Sequence, residues 1–119
     1  MKHLAILGST GSIGQSTLSI VEQFPERYCV AALAAGRNVD EAFQQALRWR
    51  PQMISLATEE LAGQLSARLR QAGVSGIEVV HGTEGTIACS TLPEADFVVS
   101  ATLVAVTVAV YGGTLGGAV

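Results

Sequence analysis

The sequence predicts an α/β fold, an open and mostly parallel sheet with helices on both faces. Two observations carry this. Short apolar runs alternate along the 119 residues with stretches whose apolar positions recur every three or four. Hydrophobic residues make up 49% of the chain and charged residues 14%, ample apolar surface to offset the ordering entropy of a core. The length is that of one domain, residues 1–119. Strands alternating with helices of this length imply parallel βαβ units with right-handed crossovers.

The elements follow in order. His3 to Leu7 is a buried strand closed by Gly8. Ile13, Thr17, Ile20, Val21 and Phe24 then give a helix one apolar face before Pro25. Cys29 to Ala35 is a second strand, closed by Gly36. Val39, Ala42, Phe43, Ala46 and Leu47 form the face of a second helix, with Asn38 as its cap and Glu41 as the return arm of a capping box. Met53 to Ala57 reads as a third strand. Thr58 caps a helix carrying Leu61, Leu65 and Leu69, with Glu59 and Glu60 at its positive end, and Gly73 and Gly76 end it. Ile77 to His81 is a fourth strand, Gly85 to Thr91 a turn or short helix, and Phe97 to Ala101 a fifth strand.

Several function classes drop out. Net charge is −3 and the seven Lys and Arg are scattered, so no nucleic-acid stripe forms. Cys29 and Cys89 follow no metal-ligand spacing and read as small buried hydrophobes. Met1 leads at once into an apolar run that resembles no targeting segment, and the expected location is cytoplasmic. After Asp96 no charged side chain occurs through Val119. Late glycines and the lack of a basic flank argue against a membrane span there, leaving a strand and helix of the core or an apolar, self-associating end.

The chemistry lies in "ILGSTGSIGQST", residues 6–17, at the carboxyl end of the first strand and the start of the first helix. Gly8 permits a sharp turn, Gly11 lets a pyrophosphate approach the backbone, and Gly14 lets the helix pack closely. The free N–H groups of the helix end favour an anion, and Ser9, Thr10 and Ser12 add hydroxyls. A P-loop would need a lysine where Gln15 precedes Ser16, so an NTPase is excluded. The second strand tests the dinucleotide reading independently. An acid there would hold a ribose 2′-hydroxyl, but the chain reads Gly36, Arg37, Asn38, with no acid until Asp40. Arg37 can fork onto a 2′-phosphate with Asn38 beside it, so the expected cofactor is NADPH. His3 and His81 show no partnered acid or thiol at catalytic spacing. Asp40–Glu41 and Glu59–Glu60 suit the helix dipoles. Arg48, Arg50, Arg68 and Arg70 read as solvated faces and Trp49 as helix packing.

The combination "LAILGSTGSIGQSTLSIV", "VAALAAGRNV" and "ADFVVSA", spanning about Lys2 to Ala101, resembles the amino-terminal domain of the 1-deoxy-D-xylulose 5-phosphate reductoisomerase family. The resemblance implies a Rossmann-like NADPH-binding domain, with Thr10, Gly11, Ser12 and Ile13 on the cofactor at the first turn. It assigns Gly36, Arg37 and Asn38 to the 2′-phosphate region, Arg37 keeping the charge of the family's "AGKN" lysine. It further implies a homodimeric enzyme of the non-mevalonate isoprenoid pathway that uses Mg²⁺ or Mn²⁺. That enzyme isomerises 1-deoxy-D-xylulose 5-phosphate and reduces it to 2-C-methyl-D-erythritol 4-phosphate. No catalytic or metal-binding position of the family is matched, and the segment after Ala101 departs from its pattern. The competing expectations are another NADPH-dependent reductase, such as a semialdehyde dehydrogenase or dihydrodipicolinate reductase, and an NADP(H)-sensing module without chemistry.

Overall fold

Five strands and four helices organise residues 1–100, the part of the chain that the computed structural model describes. They run β1 (Lys2–Leu7), α1 (Ser12–Gln23), β2 (Tyr28–Gly36), α2 (Val39–Trp49) and β3 (Met53–Leu56). There follow α3 (Glu59–Gln71), β4 (Glu78–His81), α4 (Gly82–Ser90) and β5 (Phe97–Ser100). The strand order is β4-β3-β2-β1-β5 and every pairing is parallel. The expected final residue of β5, Ala101, and the apolar tail lie outside the described residues.

Alternation along β1 sorts the core into two layers. Leu4 and Ile6 join Leu33, Ile54 and Leu56 beneath Leu18 and Val21 of α1, Ala46 of α2, and Leu65 and Leu69 of α3. Ala5 faces the other way, with Ala32, Met53 and Val98, against Cys89 of α4. This second face is built from smaller side chains because α4 sits close. A Cβ on Gly85 would come within 2.5 Å of the Ser55 hydroxyl. With only Gly85 and Cys89 buried along its length, α4 carries almost no apolar stripe. Its first turn was therefore hidden in the sequence, and it begins at Gly82 rather than Gly85.

The caps follow local chemistry. Asn38 Oδ1 accepts from the Glu41 N–H at 3.0 Å and Thr58 Oγ1 from the Leu61 N–H at 3.2 Å. Only half of the expected capping box forms, since no bond returns from the Glu41 side chain to Asn38 among the described residues.

The order of strands locates the site. From β1 the chain builds outward through β2, β3 and β4, then crosses back so that β5 pairs with the opposite side of β1, Leu7 beside Ser100. Ligands of open α/β sheets bind at such a reversal, outside the carboxyl ends of the strands. Among the described residues no helix is long and apolar enough to cross a membrane.

Candidate dinucleotide site

The turn after β1 is held by the neighbouring strand. Gly8 has φ +76°, and the Gly8 and Ser9 N–H groups both donate to the Ala34 carbonyl, at 2.8 and 3.0 Å. Thr10 Oγ1 donates to the Ala35 carbonyl at 3.2 Å. Gly14 brings α1 down onto this turn. A Cβ there would lie 2.3 Å from the Gly8 oxygen and 2.6 Å from Ser9 Cα, distances no side chain can occupy.

Gly11 is different. Its φ of −83° and ψ of 179° suit any residue, and a Cβ would meet only the Gly8 oxygen, at 3.4 Å. Neither backbone strain nor packing explains a glycine there. Next to it α1 starts with no side-chain cap and no acid in its first turn, whereas α2 and α3 have both. The Ser12 and Ile13 N–H groups have no acceptor among the described residues, and both residues are exposed. Open space over a bare Cα, beside these donors on a positive helix end, fits a pyrophosphate. Ser9 does not take the expected part. It is fully buried beneath α1 and its hydroxyl finds no partner among the described residues.

At the end of β2, Gly36 has φ +73° and turns the chain outward, leaving Arg37 and Asn38 exposed. Asn38 spends its oxygen on the α2 cap and keeps its NH₂ free to donate. Asp40, the first acid after the strand, is paired with Arg68, which also lies 4.4 Å over the Phe43 ring. Arg37 belongs to none of the ion pairs among the described residues. The edge that would meet a 2′-substituent thus offers an unpaired cation. The first acid after the strand, Asp40, is already paired.

Between this loop and α4 lies a cleft of about 340 Å³, lined by Gly36, Leu56, Ala57, Gly82, Thr83 and Thr86. Its apolar floor and threonine hydroxyls suit a flat heteroaromatic ring. The sequence reading missed it because Thr83 and Thr86 sit on the helix that carries no stripe. It missed Gln45 as well, whose Nε2 donates to the Ser9 carbonyl at 2.9 Å.

Elsewhere, several expectations change. His3 does have an acid partner. Its ring Nδ1 is 3.3 Å from Asp96 Oδ2, and its backbone N–H donates to the same oxygen at 2.8 Å. That backbone bond is the main reason the Asp96 carboxyl titrates below its ordinary range, the imidazole adding to it. The pair sits at the amino end of β1, remote from the glycine turn. Of the arginines read as solvated, Arg48 pairs with Glu22 and Arg68 with Asp40, while Arg50 Nε donates to the Leu47 carbonyl. Burial pushes the Cys89 thiol up to about 12, with Glu78 adding to it, and Cys29 is also raised by burial although it is only half-buried.

The reductoisomerase family model for 1-deoxy-D-xylulose 5-phosphate matches residues 4–111. The chain belongs to the 1-deoxy-D-xylulose 5-phosphate reductoisomerase family. The reductoisomerase of Methylococcus capsulatus is 46% identical over 101 residues, and that of Geotalea uraniireducens 48% over 101, each match taking in 85% of this chain. The chain spans about a quarter of the length of these relatives, 26% and 25%. A crystal structure of DOX-P reductoisomerase in complex with NADPH, fosmidomycin and magnesium superposes with a TM-score of 0.77 at 37% identity, over 82% of this chain and 24% of that one. The Zymomonas mobilis reductoisomerase in complex with NADPH gives 0.72 at 34%, over 82% of this chain and 25% of that one. These structures share the Rossmann-like sheet described above.

Proposed function

We propose that residues 1–119 form the NADPH-binding domain of an enzyme that isomerises 1-deoxy-D-xylulose 5-phosphate and reduces it to 2-C-methyl-D-erythritol 4-phosphate. The observation that carries the reading is the pairing of open space over Gly11 with an Arg37, at the end of the next strand, that has no ion-pair partner among the described residues. In this assignment the amides of Thr10, Ser12 and Ile13 face the pyrophosphate, which lies against the bare Cα of Gly11, whose own N–H donates to the Gly8 carbonyl at 3.0 Å. Ile13, 48% exposed, supplies an apolar wall beside it. Gly36 opens the loop, Arg37 takes the 2′-phosphate through two N–H groups, and Asn38 donates alongside. The adenine ring enters the cleft beside Thr83 and Thr86. Bound NADPH supplies a hydride; this chain holds and orients it.

The family's Mg²⁺ or Mn²⁺ does not fit the described residues. No three of His, Cys, Asp and Glu converge there, and the acid pairs at Asp40–Glu41 and Glu59–Glu60 open separate helices. No metal-dependent step is assigned to them. The relatives are about four times as long as this chain, and in the same proposal the whole protein is a homodimeric, cytoplasmic enzyme of the non-mevalonate isoprenoid pathway. Calorimetry tests the reading. The purified chain should bind NADPH more tightly than NADH, and NADPH absorbance should stay flat when 1-deoxy-D-xylulose 5-phosphate and Mg²⁺ are added. Equal affinities would refute the cofactor assignment, and sustained oxidation by the pure chain would show that the chemistry is misplaced.

A further inference from the structure

Gln45 lies on the buried face of α2, between Ala42 and Ala46, where a helix of this kind ordinarily carries an apolar side chain. It is 8% exposed and half satisfied. Nε2 donates to the Ser9 carbonyl at 2.9 Å, while Oε1 has no partner among the described residues. A buried amide left half unpaired is destabilising relative to an apolar residue of the same size. Packing therefore gives no reason for a glutamine at this position.

The bond reaches a specific peptide. In a planar trans unit the Ser9 C=O and the Thr10 N–H point in opposite directions. By drawing the Ser9 oxygen in toward α2, Gln45 turns the Thr10 N–H away from the protein, and that N–H has no acceptor among the described residues. The remaining anchors of the turn come from β2 and α1: Gly8 and Ser9 N–H to Ala34, Thr10 Oγ1 to Ala35, and Gln15 Nε2 to the Thr10 carbonyl at 2.9 Å. None of these fixes the Ser9–Thr10 plane from its carbonyl side. Gln45 also belongs to the helix that Arg37 and Asn38 introduce, so one rigid element joins the two parts of the site.

We infer that Gln45 is a positioning residue that holds the Thr10 amide toward the pyrophosphate and so pre-organises the glycine turn for dinucleotides. This rests on the NADPH reading above. Adenosine 2′-monophosphate separates the two, because it carries the 2′-phosphate but no pyrophosphate. Gln45→Met keeps the volume and removes the donor. It should weaken NADPH by about three- to tenfold, the equivalent of one neutral hydrogen bond, and leave adenosine 2′-monophosphate unchanged. Gln44→Ala, on the exposed side of the same helix, should change neither.

The unsubstituted chain offers a readout that needs neither a variant nor a ligand. By NMR, the Gln45 side-chain NH₂ protons should exchange with solvent far more slowly than those of Gln44. Equal losses for both ligands in Gln45→Met, an unchanged NADPH affinity, or fast exchange at the Gln45 NH₂ would each overturn the inference. If slow exchange is found but the parent chain binds no NADPH, the cofactor reading is what fails, and the pyrophosphate role falls with it.

Discussion

The two ends of the sheet treat polar groups in opposite ways. At the amino end they are closed off locally. His3 and Asp96 exchange backbone bonds and a ring contact, Lys2 lies 5.6 Å over the Phe97 ring, and Arg48 pairs with Glu22 where α1 and α2 finish. At the carboxyl end they are left open: the first-turn amides of α1, the Thr10 N–H and the Arg37 guanidinium. Exposed donors and cations can be left to water at little cost, and their place at the carboxyl ends of adjacent strands is where an anionic ligand of an open α/β sheet would meet them. The difference separates groups that hold the fold from groups that wait for a partner.

The largest expected effect contrasts two glycines three residues apart. Gly14→Val forces a side chain into the Gly8–Ser9 backbone and should destabilise the protein by about 3 kcal/mol or more, read as a large fall in melting temperature. Gly11→Val meets only one atom, at 3.4 Å, so it should stay folded and lose NADPH binding. A Gly11 variant that unfolds, or one that binds NADPH normally, would erase the distinction.

At the amino end the comparison predicts a pH effect. The Asp96 carboxyl is held below its ordinary range in the folded chain, so it binds fewer protons folded than unfolded. Its contribution to stability is present above the ordinary carboxylate range and is lost as pH falls through the lowered folded value. Asp96→Asn should melt below the parent at pH 7, and the gap should close in acid; a gap independent of pH would contradict this. NADPH affinity should not follow Asp96.

The smaller effects concern buried groups. With its thiol pushed up to about 12 and no exposed surface, Cys89 should resist a thiol reagent in the native chain while Cys29 reacts, and both should react on unfolding. Equal native rates would mean that α4 does not cover β1 and β2 as described. Ser9→Ala removes a buried hydroxyl that has no partner, so urea titration should show stability unchanged or raised by up to about 1 kcal/mol.

Much of this was legible in the sequence, for local reasons. Strand runs such as Cys29 to Ala35, the caps at Asn38 and Thr58, and the glycine turn are each specified by residues within a few positions of one another. The Arg37 loop was legible because its distance from the turn is set by one βαβ unit. What stayed hidden depends on contacts distant in sequence. His3 meets Asp96 across 93 residues, and Gln45 meets Ser9 across 36. A polar residue inside an apolar stripe, as at Gln45, was the one available signal for the second. Ser9 looked like a phosphate donor beside its neighbours, and only the descent of α1 at Gly14 shows that it is covered.

The central claim of the proposed function is that Arg37, which has no ion-pair partner among the described residues, takes the 2′-phosphate of NADPH. Calorimetric titration of the parent and Arg37→Ala with NADPH and NADH tests it most directly. A charge-assisted phosphate contact of about 1.5–3 kcal/mol predicts a ten- to hundredfold loss of NADPH affinity, smaller at high salt, with NADH almost unchanged. An equal loss for both cofactors, or none for either, would contradict the claim.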